Sequence, residues 1–329
     1  MKWTSDVTAG DWLRERIDHP WTATIHDVVP RGFPAYARVL HPTTRSRPVD
    51  RPWPPFPQDH HRREWEAFAA ARPEIETTVA TWQDAADAFG TTRHPLAQWA
   101  ALVRTTGGEP GETQRAVSAE GWEFDPPRTG DLDADVLARV VSHLVGDAPT
   151  PGYAAVWSGW GGLLGHLGTG PSRAVVSVGE SDDPEQRRLH DTLSHSLADP
   201  FNRPYATESW QPGILPDDVS RGTLLDLPGR EHVLFATELG VFADASWPSS
   251  VPWTDPELAA AGFAHAATSP SILWPADRSW VLVTEVDWDS TIVGGPAALI
   301  ARLVADDGVE ALPLPADASL LWDADEVNR

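Results

Sequence analysis

Apolar positions along the chain follow two periods. Leu132, Val136, Val140 and Leu144 recur every four residues behind Asp131, with Asp133 and Asp135 in the first turn and Gly146 as a stop, which predicts a core-facing helix. Pro73 followed by Ile75, Val79, Trp82, Ala86 and Phe89 up to Gly90 predicts a second, and Pro95 with Leu96, Trp99 and Val103 a third. Residues 22–29 and 35–40 are rich in β-formers around Pro30, Gly32 and Pro34, and are expected to be strands joined by a tight turn. Further on, residues 153–157, 173–178, 231–237, 279–287 and 309–314 predict strands, and 184–199 and 296–305 helices. The succession 279–287, 296–305, 309–314 is of βαβ type, so a parallel or mixed pairing is expected. Together these elements predict an α+β fold, a mixed β-sheet with flanking helices in two closely packed lobes, residues 1–146 and 147–329.

Residues 41–63 break both periods. Their prolines and basic side chains predict an extended, polyproline-prone loop in the first lobe. Charge makes this loop distinctive. The net charge is −23, with −6 over residues 1–150 and −17 over 151–329, so Arg45, Arg47, Arg51, Arg62 or Arg63 is expected to pack on acidic surface of the C-terminal half. The same deficit excludes the dense basic stripe that phosphate neutralisation needs, leaving a basic protein as the favoured partner over nucleic acid or anionic membrane.

Absent residue types remove whole chemistries. No cysteine means no disulfide, thiolate metal site or cysteine nucleophile, and Lys2 as the sole lysine excludes a P-loop, a pyridoxal Schiff base and a Ser-x-x-Lys acyl enzyme. The opening residues carry Asp6 and Asp11 and no apolar core of a signal peptide, so a cytoplasmic location is expected. Residues 148–172 are uncharged, yet their seven glycines predict a buried strand and a turn in place of a membrane span.

Candidate chemistry gathers in VLVTEVDWDST at 281–291. As a strand it would put Glu285, Asp287 and Asp289 on one face, about 6.5–7 Å apart by strand rise, a spacing suited to flanking a ligand or simply to a solvated face. The 17 tryptophans outnumber 9 phenylalanines and 3 tyrosines, and Trp157, Trp160, Trp274 and Trp288 lie beside glycine, proline or carboxylate positions where a binding rim is plausible. His60 or His61 with Glu64, and Asp191 with His195, have helical spacing without forming H-E-x-x-H, and no metal or cofactor is expected. The glycines of SGWGGLLGHLG miss the dinucleotide fingerprint, and Ser158 lacks the G-x-S-x-G frame.

VWSGWGGL at 156–163 and SPSILWPADRSWVLVTEVDWDSTIVGG at 269–295, with YARVLHP, GREHVLFATEL and the closing LLWDADEVN, resemble an uncharacterised family of proteins from high-GC bacteria over nearly the whole chain. Members carry glutamate where this chain has Ser158, a departure that weakens any catalytic role there. The resemblance implies a soluble whole-chain unit and brings no activity with it. A vaguer likeness, of fold type only, is to bacterial immunity modules related to yeast cell-wall assembly regulators. Three functions stay open: a non-catalytic protein-interaction module, immunity-like in kind; a saccharide or small-molecule binder; and a carboxylate hydrolase. Binding is favoured over turnover, at a site containing Trp157, Trp160 and the 285–289 acids.

Overall fold

The computed structural model describes residues 1–105, 115–146, 148–169, 208–260 and 266–328. The strand and helix expected at 173–178 and 184–199, and the pair Asp191 and His195, lie outside the described residues.

The main sheet runs β1 (Lys2–Trp3), β11 (Arg230–Glu238), β7 (Pro151–Trp157), β12 (Ile272–Pro275), β13 (Val281–Thr284), β14 (Ser290–Gly295), β2 (Ala35–Leu40), β15 (Ala311–Leu314), with β10 (Leu225–Leu227) also beside β11. Its strands are apolar on both faces because both faces are covered. Val233, Phe235, Ala154, Val156, Leu282 and Val293 pack towards the helices α5 (Ala134–Val145) and α8 (Ala297–Val304). Leu234, Ala155, Ile272, Val283 and Ile292 pack on the other side against Trp12 and Leu13 of α1 (Asp11–Arg16) and against Ile25 and Val29. A second sheet, β4 (Ile75–Ala80), β3 (Thr43–Pro48), β6 (Glu123–Phe124), β5 (Ala116–Val117), rests on a third core around Trp82 of α3 (Trp82–Phe89) and Trp99 of α4 (Trp99–Leu102). β8 (His166–Gly168) and β9 (Ser209–Gln211) form a two-stranded ribbon. The remaining helices are α2 (Arg62–Ala71), α6 (Asp217–Ser220) and α7 (Pro256–Ala260), and none of the described helices is long and apolar enough to cross a membrane.

The fold is α+β, but every pairing among the described residues is antiparallel. The unit expected from 279–287, 296–305 and 309–314 is not formed: β13 ends at Thr284 and turns back into an unforeseen antiparallel strand, β14, so that β14, α8 and β15 are the consecutive elements, and β2 lies between those two strands, antiparallel to each. Strands from both halves of the chain thus share the main sheet.

Several local expectations are corrected. Residues 22–29 form a loop around a 3₁₀ turn, Ile25–Asp27, because Thr24 caps the turn and Asp27 takes the loop's own amides. The proline loop begins as strand β3 and ends in α2. The spacing from Ile75 to Phe89 is divided between β4 and α3, since the β-branched run IETTV favours a strand and Thr81 with Asp84 builds a capping box. Arg45 and Arg47 do not lie on the acidic C-terminal half: they stack on Trp122 at 4.7 and 4.2 Å, and Arg47 pairs with Glu76.

Candidate functional site

The acidic segment is a turn, which overturns the expectation that Glu285, Asp287 and Asp289 share one strand face. β13 ends at Thr284, the Trp288 amide donates to the Glu285 carbonyl at 3.0 Å, and Thr291 returns opposite Thr284. Covering layers explain the reversal: another turn of strand would drive carboxylates into an apolar sandwich at a cost of several kcal/mol each, by order of magnitude. Gly130 fixes the turn from below. Its φ is +68°, its amide donates to the Trp288 carbonyl at 2.9 Å, and a Cβ there would lie 2.6 Å from Val286 backbone atoms.

The turn separates the three acids. Asp289 leans away to Arg38, a fully buried guanidinium that also donates to Ser290 Oγ and to the carbonyls of Pro95 and Ala97 and sits 5.3 Å over Trp82. This is a structural knot under the second sheet. Glu285 and Asp287 meet instead on Arg230, at the start of β11: Nε and Nη2 reach Glu285 Oε1 at 2.8 and 2.6 Å, and Nη2 also donates to Asp287 Oδ2. Burial holds the Glu285 carboxyl above the ordinary range, against the lowering pull of Arg230, while Asp287 is 78% exposed. The guanidinium rests 5.0 Å from the ring of Trp157.

These groups form one end of a cleft enclosing about 600 Å³ with its open mouth, lined further by Trp21, Ala23, Asp27, Trp288 and Leu321. Asp27 organises the near wall. Its Oδ1 accepts from the Thr22 amide at 2.7 Å and Oδ2 from the Ala23 amide at 2.9 Å, with Ala23 held at φ +63°, and Trp21, 65% exposed, stands over Gly229. The far wall, Leu320 and Leu321, belongs to a C-terminal segment clipped onto residues 92–98. Asp325 bonds His94 Nε2 at 2.9 Å and the Gln98 amide at 3.1 Å, and Asn328 exchanges two bonds with the Thr92 backbone.

Behind Arg230 and Glu285 lies a smaller chamber, lined by Val28, Ser271, Thr284 and His232. His232 is buried, its Nδ1 has no hydrogen-bond partner among the described residues, and burial followed by the Arg230 charge pushes it down to about 4.

Of the tryptophans singled out from the sequence, Trp288 lines the cleft and Trp157 supports Arg230 from beneath. Trp160 packs edge-on against Trp157 at 5.5 Å and does not line the cleft. Trp274 is core, 1% exposed, stacked on Tyr153 and edge-on to Trp12. His61 and Glu64 form only a 3.9 Å contact on exposed helix, and no group of three metal-type ligands gathers among the described residues. Sequence reasoning missed Trp21, Asp27, Arg230 and Leu321. The glycine before Arg230 marked the strand start, but nothing local told which carboxylates its side chain would meet. Compared with family models, curated proteins and solved structures, the chain matches none.

Proposed function

We propose that the protein is a binding module whose cleft takes a basic, partly apolar segment of a partner protein. The observation that carries this reading is the make-up of the cleft: Asp27, Glu285 and Asp287 against the single cation Arg230, between the apolar walls of Trp21, Trp288 and Leu321. An incoming arginine would meet the outward carboxylate of Asp287 and lay its planar guanidinium on an exposed indole, the combination that gives arginine its advantage at interfaces. The acidity of the C-terminal half, −17 over residues 151–329, would raise the encounter rate of such a partner. Turnover is disfavoured because Glu285 and Asp287 share one guanidinium, which leaves neither as a free acid or base for a hydrolase.

The test is calorimetric titration with acetylated peptides carrying one arginine flanked by leucines, beside glutamate-for-arginine counterparts and a neutral sugar panel. Arginine peptides are expected to bind, with affinity falling as salt rises, and Asp287→Asn and Trp21→Ala are each expected to weaken them about tenfold or more. Equal binding of the glutamate peptides, or an unchanged affinity in both variants, would overturn the reading. Heat released by a sugar alone would move the site to the saccharide-binding alternative.

A further inference from the structure

The second sheet ends on a strand that is open along its outer edge. In β4 the side chains of Ile75, Thr77 and Val79 share one face, and all three are exposed, Ile75 at 39% and Val79 at 75%. No strand pairs with β4 on that side among the described residues.

Two hydrogen bonds fix the phase of its backbone. The Val49 amide donates to the Glu74 carbonyl at 3.0 Å, one step beyond the β3–β4 ladder and in its register, so Glu76, Thr78 and Ala80 direct their amides and carbonyls to β3. On the other side of β3 the Asp125 amide donates to Thr44, which assigns the alternate residues of β3 to β6 and agrees with that phase. Ile75, Thr77 and Val79 therefore turn their backbone groups to the free edge, while their exposed apolar or hydroxyl side chains stand together on one face of the sheet. Natural edges are commonly blunted by charged side chains, proline or a bulge, and the stretch IETTV has no proline and a single charge, Glu76, whose backbone groups face β3.

The occupant that this edge fits is itself. We propose that two copies of the chain pair antiparallel through β4 about a two-fold axis at Thr77, joining two four-stranded sheets into one. In that register Thr77 faces Thr77, Ile75 faces Val79, and Glu76 faces Thr78. Each outward residue exchanges both backbone bonds with its opposite number, two β-branched apolar pairs flank the axis, and no like charges meet. An axis at Glu76 would set two carboxylates against each other. An axis at Thr78 would set Glu76 against the buried Ala80. The surface is independent of the Arg230 cleft and stands or falls apart from it.

The experiment is sedimentation velocity of the full chain over a wide concentration range, with Thr77→Pro and Thr77→Lys. The unaltered protein is expected to dimerise reversibly. Proline at 77 removes an outward donor on each copy while leaving the β3 ladder intact, and lysine places like charges across the axis, so each should weaken the dimer roughly tenfold or more. Circular dichroism and melting check that both variants fold. A second readout uses the lack of cysteine: Thr77→Cys should oxidise to a disulfide-linked dimer, because opposed Cα atoms of a bonded pair lie about 5.5 Å apart, whereas Arg302→Cys on the exposed side of α8 should not. A chain monomeric at all concentrations, a Thr77→Pro variant that dimerises like the parent, or cross-linking at 77 no faster than at 302 would each overturn the proposal.

Discussion

Arg230 holds the cleft together because it neutralises a carboxylate that is largely, though not wholly, withdrawn from water. Replacing it with methionine leaves Glu285 buried without its partner, and we expect a loss of about 1–3 kcal/mol in urea unfolding. Glu285 binds its proton more readily in the fold than in the unfolded chain, so the loss should be largest where the carboxyl is charged and should shrink as the pH is lowered into the acid range, because a neutral carboxyl tolerates burial. Two histidines act in the opposite sense. His232 and His41 are buried and held at about 4 against an ordinary 6.5, mainly by desolvation. The unfolded chain therefore takes up protons between those values while the fold does not, so stability is complete above 6.5 and falls as pH drops towards 4. Each contributes up to about 3 kcal/mol across that window. Melting temperature followed from pH 7 to about pH 4 should decline steeply, and His232→Gln should flatten part of the slope; an unchanged slope would mean the ring is already charged in the fold.

Helix α5 is legible in the sequence because its four-residue repeat and its glycine stop agree with one another, but its start is not: Asp131 accepts from the Ser269 amide instead of capping the helix, and Asp133 is the N-cap, which leaves Leu132 outside. β4 and α3 read as one helix in the sequence, since apolar spacing of three and four is also produced by a strand that feeds a helix after one capping residue. The cap was in the sequence, as Thr81 with Asp84, and outweighs the spacing. Thr81→Ala is expected to cost about 1 kcal/mol in denaturant unfolding. The 285–289 turn was not legible, because alternation of carboxylate with Val286 and Trp288 reads equally as strand or loop, and only the layers on both faces of the sheet decide between them. Gly130→Ala tests that turn: a side chain at positive φ against Val286 backbone should cost more than about 1 kcal/mol and weaken arginine-peptide binding with it. Loss of stability with unaltered binding would show that the cleft does not depend on this support.

The cleft draws its walls from the beginning, the middle and the end of the chain: Trp21 and Asp27, Arg230 and the 285–289 turn, and Leu320 and Leu321. The C-terminal clip is what closes it. Asp325→Ala combined with Asn328→Ala removes the bonds to Thr92, His94 and Gln98, and should lower stability by roughly 2 kcal/mol or more and loosen peptide binding, measured by calorimetry on the same preparation. The split β-α-β arrangement has a further consequence, in time. β2 has no neighbour in the main sheet other than β14 and β15, so Leu40 is made some 250 residues before its first partner, Ser290 of β14. At ordinary elongation rates of ~5–20 residues per second that is a wait of roughly 12–50 s, during which an apolar strand has nothing to pair with in the main sheet. The nascent N-terminal part must be shielded by chaperones or by the third core around Trp82, whose elements are all complete by residue 124.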